Sequence, residues 1–336
     1  MRFVGWLALV AGFVLSVTGP VLANALDTVS IAVEDRSEAA QQQALKEGLD
    51  QVLVRLAGKK AVLDMPVAPA AAEQLDRWVT RYDYQGDDLV ARYDVQGLME
   101  FMAGQGAPVW GLPRPRLLVW LVDQGAGKGE MVNADHPLYA PVQEEAARRG
   151  LNLTFPQWDA TDRRALTVAD VRGRFDSQLL EASRRYPHEM IVSAVLYRGG
   201  DASVSWRVLQ DQKNLEQGRE QSGDASQAVT ALVDAVADSL ADRFAVTGAV
   251  TEQRTLLVVN QVASLADWKA LRDYLSGLSG MRRVSLVQVS GDSVTYGLDF
   301  AASDEQLRSL LGLSGQLRAC PEANVPGPQW RYCWRG

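Results

Sequence analysis

Few residues in this 336-residue chain have types and spacings suited to chemistry. Asp123-Gln-Gly-Ala-Gly-Lys-Gly129 follows an apolar run and invites comparison with a phosphate-cradling loop. Such a loop needs G-x-x-x-x-G-K-[ST] opening a helix, so that backbone N–H groups surround the phosphates and a hydroxyl holds magnesium. Val122 stands where the first glycine belongs and Gly129 where the hydroxyl belongs, so the segment reads as a surface loop. His136 and His188 each neighbour a proline, and neither lies in an H-E-x-x-H metal motif. A serine nucleophile would sit on a G-x-S-x-G elbow. Gly277-Leu-Ser-Gly280 has the wrong spacing and reads as a turn ending a helix. Paired carboxylates hydrolyse glycosides when held across the sugar at a set separation. Asp87-Asp88 and Glu144-Glu145 are instead adjacent, and read as solvated surface. The arginine pairs Arg148-Arg149, Arg163-Arg164, Arg184-Arg185 and Arg282-Arg283 would suit anionic glycans or head groups. Scattered among acids, they read as solvated helix faces. The sequence therefore predicts no catalytic residue, no cofactor and no metal.

Two residue types remain. Cys320 and Cys333 are the only cysteines and lie near the C-terminus. Zinc needs about four ligands, and a redox pair is normally C-x-x-C, so a structural disulfide is expected in an oxidising compartment. Eight of the nine tryptophans follow residue 25. Trp120, Trp206 and Trp268 fall at core-like positions. Trp110, Trp158, Trp330 and Trp334 lie in or beside irregular segments. Tryptophan buries much area yet keeps a polar handle, so these four are the candidate interaction surface; packing between domains is the other role open to them.

The compartment follows from the first 25 residues. Arg2 is a positive start, Phe3 to Val17 an apolar stretch, and Ala23-Asn-Ala25 a small-residue cleavage pattern. This is the form of a secretory signal. Cleavage is expected after Ala25, with Ala23 as the alternative. No cysteine stands near the site, so the chain is expected to be periplasmic and not a lipoprotein. With 47% hydrophobic and 22% charged residues it can fill real cores, which excludes a disordered chain. The net charge of −7 argues against a general nucleic-acid binder.

The elements that must position these residues divide into three small α/β modules, an α+β chain. After the signal at 1–25, the first module spans 26–104. Leu45, Leu49, Val52, Leu53 and Leu56 give its helix one apolar face. A Gly/Pro-rich linker is expected at 105–115. The second module, 116–246, runs from the buried strand around Leu117 to Val122 to a helix ending near Phe244. The third, 254–336, has the order β-α-β-β-α-β, the ferredoxin-like arrangement.

Four blocks carry a family resemblance: Gln51-Val-Leu-Val-Arg-Leu-Ala-Gly58, Trp78-Val-Thr-Arg-Tyr-Asp-Tyr84, Pro108-Val-Trp-Gly111 and Arg114-Pro-Arg-Leu-Leu-Val-Trp-Leu121. As a set they resemble an uncharacterised proteobacterial envelope family catalogued as domain of unknown function 2066. The resemblance implies a Gram-negative periplasmic protein and supplies no catalytic residues. Residues 116–246 more loosely resemble the N-terminal domain of TolB. The functional expectation is a non-enzymatic adaptor or assembly factor that binds envelope proteins. The alternatives are peptidoglycan binding through residues 254–336, which have the length and element order of sporulation-related glycan-binding repeats, and a hydrolase with a non-local site.

Overall fold

The structure is a computed structural model that describes residues 26–125, 127–210, 212–247, 253–320 and 329–335. The expected signal and the prolines between the two cysteines lie outside these residues. In the first module β1 (Thr28–Ala32) leads to α1 (Glu38–Ala57). The Ser37 hydroxyl caps α1 by accepting the Ala40 N–H at 3.2 Å. Its five predicted apolar positions are all buried. Gly58 ends it at φ 76, a conformation in which side chains are strained. Then come α2 (Val67–Ala72), α3 (Leu75–Trp78), β2 (Val79–Gln85), β3 (Asp88–Tyr93) and α4 (Val95–Gly104). The sheet order is β1-β3-β2, antiparallel throughout.

The second module contains β5 (Arg116–Gln124), reached through the short β4 (Pro108–Val109), then β6 (Glu130–Met131), α5 (Tyr139–Arg149) and β7 (Asn152–Thr154). α6 (Ala160–Ala165), α7 (Val168–Gly173) and α8 (Asp176–Ser183) precede β8 (Met190–Arg198), β9 (Ala202–Gln210), β10 (Lys213–Ser222) and α9 (Ala225–Phe244). Its sheet runs β10-β9-β8-β5-β6, with β7 also on β5. β5 is parallel to β7 and β8. Leu117, Val119 and Leu121 point into a core with residues of α5 and α9. Leu118, Trp120 and Val122 point into a second core with Leu166, Val171 and Leu179. Both faces of β5 are covered, which is why its sequence is an unbroken apolar run.

The third module follows β11 (Val246–Thr247). It comprises β12 (Gln253–Asn260), α10 (Leu265–Ser276), β13 (Met281–Ser290), β14 (Ser293–Phe300), α11 (Asp304–Gly312), β15 (Leu317–Ala319) and β16 (Gln329–Trp334). Capping boxes at Ser264/Asp267 and Ser303/Gln306 start its two helices. The order β13-β14-β12-β16-β15 departs from the expected ferredoxin-like sheet: β15, the strand that follows α11, lies at the edge, and β16 sits beside β12 and parallel to it, where a ferredoxin-like sheet has an antiparallel strand.

Segment 105–115 is not the exposed linker that its glycines and prolines suggest. β4 pairs with β11, so the chain entering and leaving the second module is clasped as one two-stranded ladder. Trp110 is fully buried, donates its backbone N–H to the Leu56 carbonyl at 2.5 Å and stacks on Phe244 with centroids 6.1 Å apart. A Cβ on Gly58 would lie 2.6 Å from both Trp110 and Ala241. Glycine is therefore required there by contact as well as by φ. Arg114 lies over the Trp110 ring at 4.1 Å and donates to the carbonyls of Arg55, Trp110, Arg149 and Gly150. Gly111 donates to Ser279 Oγ at 2.9 Å, which ties the seam to the third module. A single core cluster continues from α5 and α9 through Phe244 and Val246 to Leu278 and Leu257. Trp110→Ala should cost about 3–5 kcal/mol in urea unfolding, the scale for emptying a buried aromatic site, whereas replacement of an exposed residue such as Gln43 should change little.

Candidate interaction surface

The groups best placed for chemistry are each engaged by their surroundings. β5 and β6 pair across the loop after Asp123, with Val122 opposite Met131 and Asp123 opposite Glu130. The loop thus joins two strands and opens no helix, so it cannot present helix N–H groups to a phosphate. Buried Asp123 is held by Arg198 at 2.8 Å and 2.5 Å and faces His136 Nε2 at 3.5 Å. His136 Nδ1 accepts the Leu138 N–H at 3.2 Å, which leaves it no lone pair for a nucleophile's proton. His188 Nδ1 meets the Tyr186 carbonyl at 2.8 Å. Asp162 accepts from the Trp158 N–H, the Tyr186 hydroxyl and Arg185, and so braces a loop.

Two sequence expectations fail at the seam. Glu145 and Arg149 are not solvated, being 2% and 1% exposed. They lie four apart on α5 and face α9 and the first module. Arg149 donates to the Gly58 carbonyl at 2.8 Å, to Asp234 at 2.5 Å and to Asp238. Lys60 reaches Asp234 at 2.6 Å and Glu145 at 3.1 Å. Burial, with Arg55 and Arg149 alongside, pushes Arg114 down to about 9, so it remains protonated at neutral pH. Burial would raise Asp234, but Lys60 and Arg149 outweigh it and hold the carboxyl below its ordinary range.

Cys320 and Cys333 form a disulfide with Cα atoms 5.3 Å apart, joining the end of β15 to β16. Closing a loop of this length is worth about 3 kcal/mol in the chain-entropy model. The four tryptophans do not form one surface. Trp110 is in the seam. Trp158, at φ 55, packs edge-on against Trp120 at 6.4 Å. Trp330 and Trp334 point to the helix side of the third sheet, against Phe300 and Tyr274, and Trp334 is buried. Packing between modules, the other role left open for them, is filled by Trp110, while Trp158, Trp330 and Trp334 pack within their own modules.

The exposed features lie elsewhere in the third module. Val294, Tyr296, Leu298 and Phe300 of β14 face the helices and are buried. The opposite face carries Arg254, Arg283, Arg318 and Arg331, with Asp299 the one acid among the described residues of its strands. Residues 253–336 hold nine basic and seven acidic residues, a net of +2, in a chain of net −7. The sequence missed this face because its arginines are far apart in the chain. At the sheet's edge β13 exposes Leu286, Val287 and Val289 by 50%, 53% and 57%.

Residues 21–111 match the family model for a domain of unknown function, DUF8605. This corrects the resemblance to domain of unknown function 2066, which is a different family. Val52, Leu53, Leu56 and Trp78, prominent in the blocks behind that resemblance, are buried core residues of a kind that any small α/β core demands. No curated protein matches the chain. Among solved structures, lipoprotein GNA1162 from Neisseria meningitidis matches at 15% identity, covering 39% of this chain and 98% of its own, with a TM-score of 0.24. A superposition that loose carries no argument, and the likeness to TolB gains nothing from it.

The Asp234 carboxyl sets a pH dependence. Its folded value is depressed, so its contribution is present above the unfolded value of about 4 and is lost as pH falls through the folded value. Urea midpoints should therefore drop below about pH 4. Asp234→Asn should cost about 1–3 kcal/mol at neutral pH and flatten that acid limb.

Proposed function

We propose that this chain is a non-enzymatic periplasmic protein that binds other envelope components, as an adaptor or assembly factor. The supporting observation is the face of the third sheet that carries Arg254, Arg283, Arg318 and Arg331 around one acid, on a module of opposite charge to the rest of the chain. A surface of this kind steers and selects an acidic partner rather than transforming a substrate. The arginines also favour a second reading, in which the stem-peptide carboxylates of peptidoglycan occupy the same face. With the chain from Leu26 immobilised and exposed to detergent-solubilised envelope, one envelope protein should be recovered saturably. Recovery should fall about tenfold or more in the triple variant Arg254→Glu, Arg283→Glu, Arg331→Glu, and with added salt. Sedimentation with purified sacculi, lost in the same variant, would transfer the assignment to glycan. The absence of both results would overturn both readings.

A further inference from the structure

Sheet edges expose unpaired N–H and C=O groups, and proteins guard them with short strands or with charges along the strand. Most edges here are guarded. β15 has three residues, and β1 has five. β2 carries Arg81 and Asp83, and β10 carries Lys213, Glu216, Arg219 and Glu220 along its length. β13 differs. It is ten residues long and borders only β14. Its stretch Val284-Ser-Leu-Val-Gln-Val-Ser290 has no charge and no proline, and residues 286–290 are all exposed.

We propose that β13 pairs with β13 of a second copy of this chain, antiparallel about a two-fold axis normal to the sheet. With the axis between Leu286 and Val287, Val284 opposes Val289, Ser285 opposes Gln288, and Arg283 opposes Ser290. Within one copy Val284 and Val289 sit opposite the inward Leu298 and Val294. Arg283, Ser285, Gln288 and Ser290 sit opposite Asp299, Gly297, Thr295 and Ser293, on the other face. Every opposed pair therefore falls on one face, as a continued sheet requires. The bulge between Leu286 and Gln288 falls at the axis, where both copies carry it. No like charges oppose one another. An axis normal to the sheet also keeps both arginine-bearing faces on the same side, which would present one doubled basic surface.

The test is sedimentation velocity of residues 26–336 across the micromolar range. A monomer–dimer equilibrium is expected. Leu286→Lys with Val289→Lys, both at exposed positions, should give a monomer with unchanged circular dichroism. A monomer at all concentrations overturns the proposal. So does a dimer indifferent to the β13 variants, or open-ended polymerisation. The proposal does not rest on the adaptor reading. A monomer that still captures an envelope protein removes the dimer alone, and a dimer that captures nothing removes the adaptor alone.

Discussion

A buried guanidinium needs acceptors, and the seam between the first two modules supplies them to the terminal nitrogens of Arg114 and Arg149. Arg149 spends its donors on the Gly58 carbonyl and on two carboxylates of α9. Arg114 has no carboxylate and relies on four backbone carbonyls and the Trp110 ring. Those carbonyls come from the end of α1, the end of α5 and the segment that joins the modules. The helix ends must therefore meet there, and their unpaired C=O groups are satisfied by arginine rather than by water. Removing one partner from such a site leaves a buried charge, so the parts are interdependent.

This constraint explains the neighbouring residues. Gly58 is the left-handed cap of α1, its carbonyl is an Arg149 acceptor, and Trp110 closes over it. Gly150 plays the matching part at the end of α5, with φ 66 and its carbonyl on Arg114. The clasp of β4 with β11 brings the third module to the same place, where Ser279 accepts the Gly111 N–H. The core is continuous from the second module into the third. The three sheets are thus distinct in topology while their packing is shared.

Much of the secondary structure was legible because it rests on local patterns. The apolar stripe of α1, the alternation of β14 and the caps at Ser264 and Ser303 each specify their element with few long-range contacts. β10 was missed for the opposite reason. Its sequence Lys-Asn-Leu-Glu-Gln-Gly-Arg-Glu-Gln-Ser lacks apolar alternation, and only pairing with β9 makes it a strand. α6 and α7 are too short to show a periodicity and are held by side-chain caps at Asp159 and Thr167. Of the candidate residues, the two cysteines needed only their number and position in the sequence. Trp110 and Trp334 are buried although they lie in or beside irregular segments, because irregular flanking sequence does not report burial.

By itself the sequence determined the α+β class, the longer helices, the five buried positions of α1 and the pairing of the only two cysteines. Each depends on residue periodicity or on counting. The tertiary structure decided which polar residues are inside. Glu145 and Arg149 look like an ordinary charged helix face until α9 and the end of α1 close over them. It also decided that the glycine- and proline-rich segment is a seam, and that arginines from four separate strands share one sheet face. These properties arise where elements distant in sequence meet, and no local pattern encodes that meeting.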